Sequence, residues 1–277
     1  MIRRSDGDSF LLITQAAHAQ LAGWLAAYVG NERFTPPFPR AAVLKAIEFH
    51  DAGWPTYDEA ATINPAGEPT DVLEMPMETV LPIWSLSTRR AVPIHPYAGL
   101  LVSLHSFALS LRVKIEAPPP GGRQDPRSRN FSLIKFQHQE IEIQEHLRRQ
   151  LGMRVDMALQ NGLAPAGRSE AEDQLLFNFH LLEFADQLSL NLCFDDAKFP
   201  LVENFYATPG GRGISLLIRR TPAGLFTVAP WPFSDKRLEF EIGGKRVGAG
   251  PYADDGELRR AIATAPVEAV RVRLVPA

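Results

Sequence analysis

A mainly α fold, a helical-bundle core with a small β-rich element at its C-terminal end, is the architecture this 277-residue chain spells out. Apolar residues recur three and four apart from Gln15 to Phe194, the spacing that gives a helix one apolar face. Runs that alternate with a period of two gather after Pro200. Pro and Gly clusters separate the helical stretches and serve as breakers.

Thr14 can cap a first helix running from about Gln15 to Val29 and ending at Gly30. Its apolar stripe is Ala17, Leu21, Trp24, Leu25 and Tyr28, and His18 points inward or to the stripe's edge, as a core histidine or a ligand. A Pro-rich turn, Thr35 to Pro39, leads to a second helix, Arg40 to His50. Residues 52–93 read as irregular, broken by Pro55, Pro65, Pro69, Pro76, Pro82 and Pro93. A connection of that length more often covers a site than merely links elements, and Asp58, Asp71, Glu74 and Trp84 lie in it as ligand contacts or packing residues.

His95 and Pro96 open an apolar helix over Tyr97 to Leu111, with Pro in the first helical position and His95 near the N-cap. His105 lies between Leu101 and Leu109 on the buried stripe of that helix. Residues 117–129, rich in Pro, Gly and Arg, read as a loop. An amphipathic helix follows from about Ser132 to Asn161, with His138 and His146 on a solvated face. The next spans Ser169 to about Phe194 and starts with a capping box, Ser169 with Glu172.

Beyond Pro200, short alternating runs at Ile214–Arg219, Leu225–Ala229, Leu238–Ile242 and Val267–Leu274 read as strands. Gly243-Gly244 reads as a hairpin turn before Lys245–Val247, and a short helix is expected near Glu257–Ala263. Rigid, aromatic Pro230-Trp-Pro-Phe233 is suited to packing against the helical part. The organisation expected is a helical domain over residues 1–198 and a β-rich element over 199–277, short enough to belong to the same domain.

Composition narrows the function classes. A formal charge of -3 gives no electrostatic footprint for nucleic acid or an anionic membrane, and no apolar run approaches the ~20 residues of a membrane span. Cys193, the single cysteine, rules out an internal disulfide framework and reads as a buried core thiol. A cytoplasmic protein is expected; oligomeric state is not legible.

The chemistry concentrates in Ala46-Ile-Glu-Phe-His-Asp-Ala-Gly-Trp54 and in one later helix. His50 and Asp51 end a helix side by side, an imidazole and a carboxylate suited to a divalent ion of borderline hardness. Asp186 interrupts the stripe Leu175, Leu176, Phe179, Leu182, Leu190, Cys193. A carboxylate buried without a partner costs several kcal/mol, so this one needs a metal, a cation or several donors. Glu183, one turn earlier, is either its neighbour in the site or exposed.

In order, His18, His50-Asp51, His95, His105 and Asp186 resemble the ligand series of the HD-domain superfamily of metal-dependent phosphohydrolases, and the words around them resemble an uncharacterised bacterial branch. The resemblance implies an HD-type helical core with His18, His50, Asp51 and Asp186 as its basic metal site. It implies that His95 and His105 are ligands of a second ion, contacts to a phosphate, or proton donors. His95 and His105 stand closer together than in two-metal members, leaving one or two ions open. One or two ions of Fe, Mn, Co or Zn, with Asp51, His95 and His105 in catalytic roles, would then hydrolyse a small phosphorylated molecule or nucleotide. An HD-type di-iron oxygenase, and a ligand-binding or sensor protein without catalysis, are the other readings.

Overall fold

The computed structural model describes residues 1–112, 126–155 and 168–277. Its fold is mixed α/β, 47% helical and 21% strand, where the sequence reading expects a mainly α bundle. One curled seven-stranded sheet makes the difference.

The sheet begins at the N-terminal end of the chain. Strands β1 (Ile2–Asp6) and β2 (Ser9–Ile13) form a hairpin about Gly7, whose φ of 59° places it in the left-handed region that favours glycine. Phe10-Leu-Leu-Ile13 is apolar on both faces: Leu11 and Ile13 enter the main core, while Phe10 and Leu12 join Val247 on the other side.

Helices α1 (Gln15–Ala27), α2 (Arg40–Phe49), α3 (Pro55–Glu59), α4 (Met77–Ala91), α5 (Pro96–Leu111), α6 (Pro126–Gln150) and α7 (Glu170–Phe194) follow. Strands β3 (Leu201–Tyr206), β4 (Gly213–Arg220), β5 (Phe226–Ala229) and β6 (Leu238–Gly248) come next, then α8 (Asp255–Thr264) and β7 (Val267–Pro276). Across the sheet the order is β1-β2-β6-β7-β5-β4-β3, antiparallel except for β5 beside β7.

Both edge strands, β1 and β3, touch α7, so the sheet curls around that helix. Arg4 of β1 (3.0 Å) and Arg220 of β4 (2.8 Å) converge on Asp195, which closes α7 in the left-handed conformation at φ 56°. Inside the curl, Phe184 of α7 packs on Phe205 and Phe233, with centroids 4.9 and 5.9 Å away. The Pro-Trp-Pro-Phe segment thus anchors the sheet to α7, each buried phenylalanine contributing ~1.5–3 kcal/mol. Helices α1, α2 and α5 pack on α7, while α4 and α6 cover α5 from outside.

Three local expectations change. Within the stretch expected to be irregular, residues 55–59 and 77–91 form helices, the second in spite of Pro82, because Val80, Leu81 and Ile83 are buried and their packing outweighs the lost backbone bond. Gly243 and Gly244 make no turn: β6 runs straight through them, paired with Ala269 and Glu268. Gly244 is small because a Cβ there would lie 2.9 Å from Leu11 Cδ1. Helix α6 ends at Gln150, with Gly152 at φ 65°. Residues 156–161 of the longer helix expected there lie outside the described residues, as do 117–125 of the loop expected before it. Among the described residues no helix is long and apolar enough to cross a membrane.

Candidate metal centre

Four helices deliver one cluster. His18 rides the second turn of α1, where Thr14 accepts a hydrogen bond from the Ala17 N–H as N-cap. His50 is the C-cap of α2 and Asp51 follows it, while His105 and Asp186 project from the middles of α5 and α7. His18, His50, Asp51 and His105 are buried; the Asp186 side chain is 15% exposed.

Their polar atoms converge. His18 Nε2 lies 3.0 Å from Asp186 Oδ1 and 3.7 Å from Asp51 Oδ2, and His50 Nε2 lies 3.4 and 3.5 Å from the same two oxygens. His105 Nε2 approaches the other Asp186 oxygen, Oδ2, at 3.6 Å. The imidazoles stand edge to face, with centroids 5.3 Å apart for His18–His50 and for His50–His105. Two overlapping groups could hold a metal ion, His18–His50–Asp51 and His50–His105–Asp186.

What stands behind the histidines fixes their tautomers. His50 Nδ1 donates to the Ile47 carbonyl at 2.6 Å, which leaves Nε2 buried, without a hydrogen-bond partner, and turned to the two carboxylates. Ser189 commits its hydroxyl proton to the Asp186 carbonyl at 2.9 Å and accepts from His18 Nδ1 at 2.8 Å. His18 Nε2 is then the atom turned to the carboxylates, within hydrogen-bond distance of Asp186 Oδ1 at 3.0 Å. Trp54 Nε1 donates to Asp51 Oδ1 at 3.1 Å, so Oδ2 is the oxygen turned to the histidines. Two imidazole Nε2 atoms and two carboxylate oxygens thus converge, held together by a proton when no cation is present, as in the 3.0 Å His18–Asp186 hydrogen bond, and a metal ion can take that proton's place.

The titration tendencies show the two carboxylates drawing positive charge to this point. Burial alone would depress His50, but the Asp51 and Asp186 carboxylates overcome it and raise the imidazole to about 9. Burial would raise Asp186, yet hydrogen bonds and charge from His18, His50 and His105 hold it well below the usual carboxylate range. Asp51 is raised, burial outweighing His50 and His18. For His105 burial wins and lowers it to about 4, so this imidazole is a neutral lone-pair donor at neutral pH.

His95 is not brought into the cluster. It is exposed at the N-cap of α5, where Nδ1 accepts from the Tyr97 N–H at 3.0 Å. Glu183 is part of a neighbouring set, bonded to Arg112 and 3.0 Å from His180 Nδ1. Asp58 accepts from Gln15 N at the start of α1, Asp71 and Glu74 form a capping box that also binds Arg3, and Trp84 packs on Phe136. His138 and His146 are exposed on α6. Sequence reasoning has no means of finding Ser189 or Trp54, whose parts depend on a fold that places them behind His18 and Asp51.

The model of a family described as "Protein of unknown function (DUF3891)" matches residues 1–249, and the chain belongs to that family. No curated protein and no solved structure matches it. Membership corrects the resemblance drawn from the histidine order: the matching family is DUF3891 rather than the HD-domain superfamily, and the cluster sits in a mixed α/β scaffold around a curled seven-stranded sheet.

Proposed function

For a member of a family without a known function, we propose a metal-dependent hydrolase that acts on the phosphoric ester of a small molecule. The observation that carries it is the anchoring of His18 and His50 through Nδ1, which turns both Nε2 atoms toward Asp51 and Asp186. His18, His50, Asp51 and Asp186 would hold the ion, and His105 would complete its surroundings through Asp186 Oδ2. Mixed imidazole and carboxylate donors suit Fe, Mn, Co or Zn better than an ion that seeks oxygen alone.

When bound, a divalent ion at such a site supplies a water of lowered pKa and polarises a phosphoryl oxygen. The chain's own part is orientation. Trp54 holds Asp51 with one oxygen inward, the Ile47 carbonyl and Ser189 keep two histidines in one tautomer, and α5 closes the site with a neutral imidazole. His95, exposed and engaged in capping, has no part in this proposal.

The test is elemental mass spectrometry on protein purified without chelators, beside Asp51→Asn and Asp186→Asn, followed by hydrolysis of a panel of phosphomonoesters and phosphodiesters. The expectation is about one or two ions per chain in the parent, loss of metal in both variants, and hydrolysis only with metal. Retention of no Fe, Mn, Co or Zn, even after reconstitution, would overturn the metal site. Full loading with inert esters would overturn the reaction.

A further inference from the structure

A cavity of about 520 Å³ opens on the outer face of the sheet beneath α8, and no residue of the His/Asp cluster lines it. Its size lies within the range of small-molecule sites. The walls are mostly apolar: Leu12 of β2, Pro55 of α3, Ile262 and Ala263 at the end of α8, and Val267 at the start of β7. Val267 is 70% exposed, an apolar side chain turned to water at the cavity's edge.

Gly243 forms part of the floor. A glycine inside a strand gives up packing and often marks a place where something else approaches the backbone. No positive φ requires it here, and a Cβ built on it would meet only Val267 Cγ1, at an ordinary 3.5 Å. Neither backbone geometry nor crowding therefore accounts for this glycine, whereas its neighbour Gly244 is forced by Leu11. What glycine does at 243 is leave the floor open.

Two residues further along the same face stands Lys245, whose Nζ donates to the Ile262 carbonyl at 2.8 Å. That bond fixes the ammonium at the apolar wall and leaves two of its three protons for another acceptor. Across the cavity, Asp58 is engaged by Gln15 N at 2.8 Å, and Glu59 lies exposed at the rim.

We propose that this cavity binds a small amphipathic anion. An aliphatic or aromatic body lies over Gly243, between Leu12, Ile262 and Val267, and its carboxylate or similar head accepts hydrogen bonds from Lys245. Removing the body from water drives binding, and the charge-assisted bond to Lys245 selects an acid over the corresponding alcohol.

Titration calorimetry of the full chain with octanoate and with octanol tests this, with and without added divalent metal. The parent is expected to bind one octanoate per chain, more tightly than octanol, in both states. Lys245→Gln should weaken octanoate about tenfold and leave octanol nearly unchanged. Gly243→Leu should abolish binding of both. Val267→Trp, placed at an exposed position, should weaken both, and it decides the steric question if Gly243→Leu does not fold. Absence of saturable octanoate binding, or an affinity indifferent to Lys245→Gln or to Val267→Trp, would overturn the proposal.

Discussion

His18 is turned toward the carboxylates by what stands behind it. Ser189, already donating to the Asp186 carbonyl, can only accept from His18 Nδ1, and this holds the ring with Nε2 toward Asp186. Ser189→Ala removes that acceptor and frees the ring to turn or to change tautomer. Metal affinity is expected to fall ~10–100-fold, measured by competition with a chromophoric chelator, while circular dichroism stays that of the parent. An affinity equal to the parent's would mean that Ser189 does not orient His18. Some of these side chains are legible in the sequence alone. Asp186 stands out because a carboxylate replaces an apolar residue at fixed helical spacing, and His50-Asp51 because two donor types are adjacent. His105 shows only as a histidine on a buried stripe, and Ser189 not at all, because a serine in a helix acquires meaning only from its partner.

Helices α4, α5 and α6 are joined by a buried polar knot that the sequence does not reveal. Glu140 of α6 accepts from Thr88 of α4 at 3.0 Å and from Ser103 of α5 at 2.7 Å. Burial raises its carboxyl to about 7, against the two hydroxyl donors and the charge of Arg89. Because the folded value lies above the ordinary one, the folded chain holds this proton more tightly. The stability this gives is present at low pH and is lost as pH climbs from the ordinary carboxyl range to about 7. Above that, a buried carboxylate costs the fold about 3 kcal/mol relative to its protonated form. Glu140→Gln cannot ionise, so urea unfolding at pH 5 and pH 8 should show a smaller loss for the variant by about that amount. Equal losses in parent and variant would refute the assignment. The helices themselves are readable from period and caps, except α3 and α4 in the Pro-rich stretch, where Pro82 masks a segment of α4 that tertiary burial keeps helical.

The sheet takes its strands from both ends of the chain. β1 and β2 precede every helix of the core, the other strands follow α7, and β2 joins β6 through Ser9 opposite Gly248. Periodicity reports which residues share a face, not which distant run completes a sheet, so Phe10–Ile13 reads as a short apolar stretch without a partner. That pairing decides how the His/Asp cluster is supported: α1 and α7, which carry His18 and Asp186, lie against the curl that both ends build. A fragment ending at Lys198 would leave β2 without β6, and Phe184 without Phe205 and Phe233. Without these partners the fragment is expected to lack a cooperative thermal transition, to bind a dye for exposed apolar surface, and to retain no metal after gel filtration. A cooperative transition together with a retained ion would show that the helices build the site alone and that the curl is an accessory to it. The expected failure would instead make the curled sheet a condition of the metal centre. Its edge strands fix α7 from both sides, and α7 carries Asp186, the one carboxylate that all three imidazoles approach.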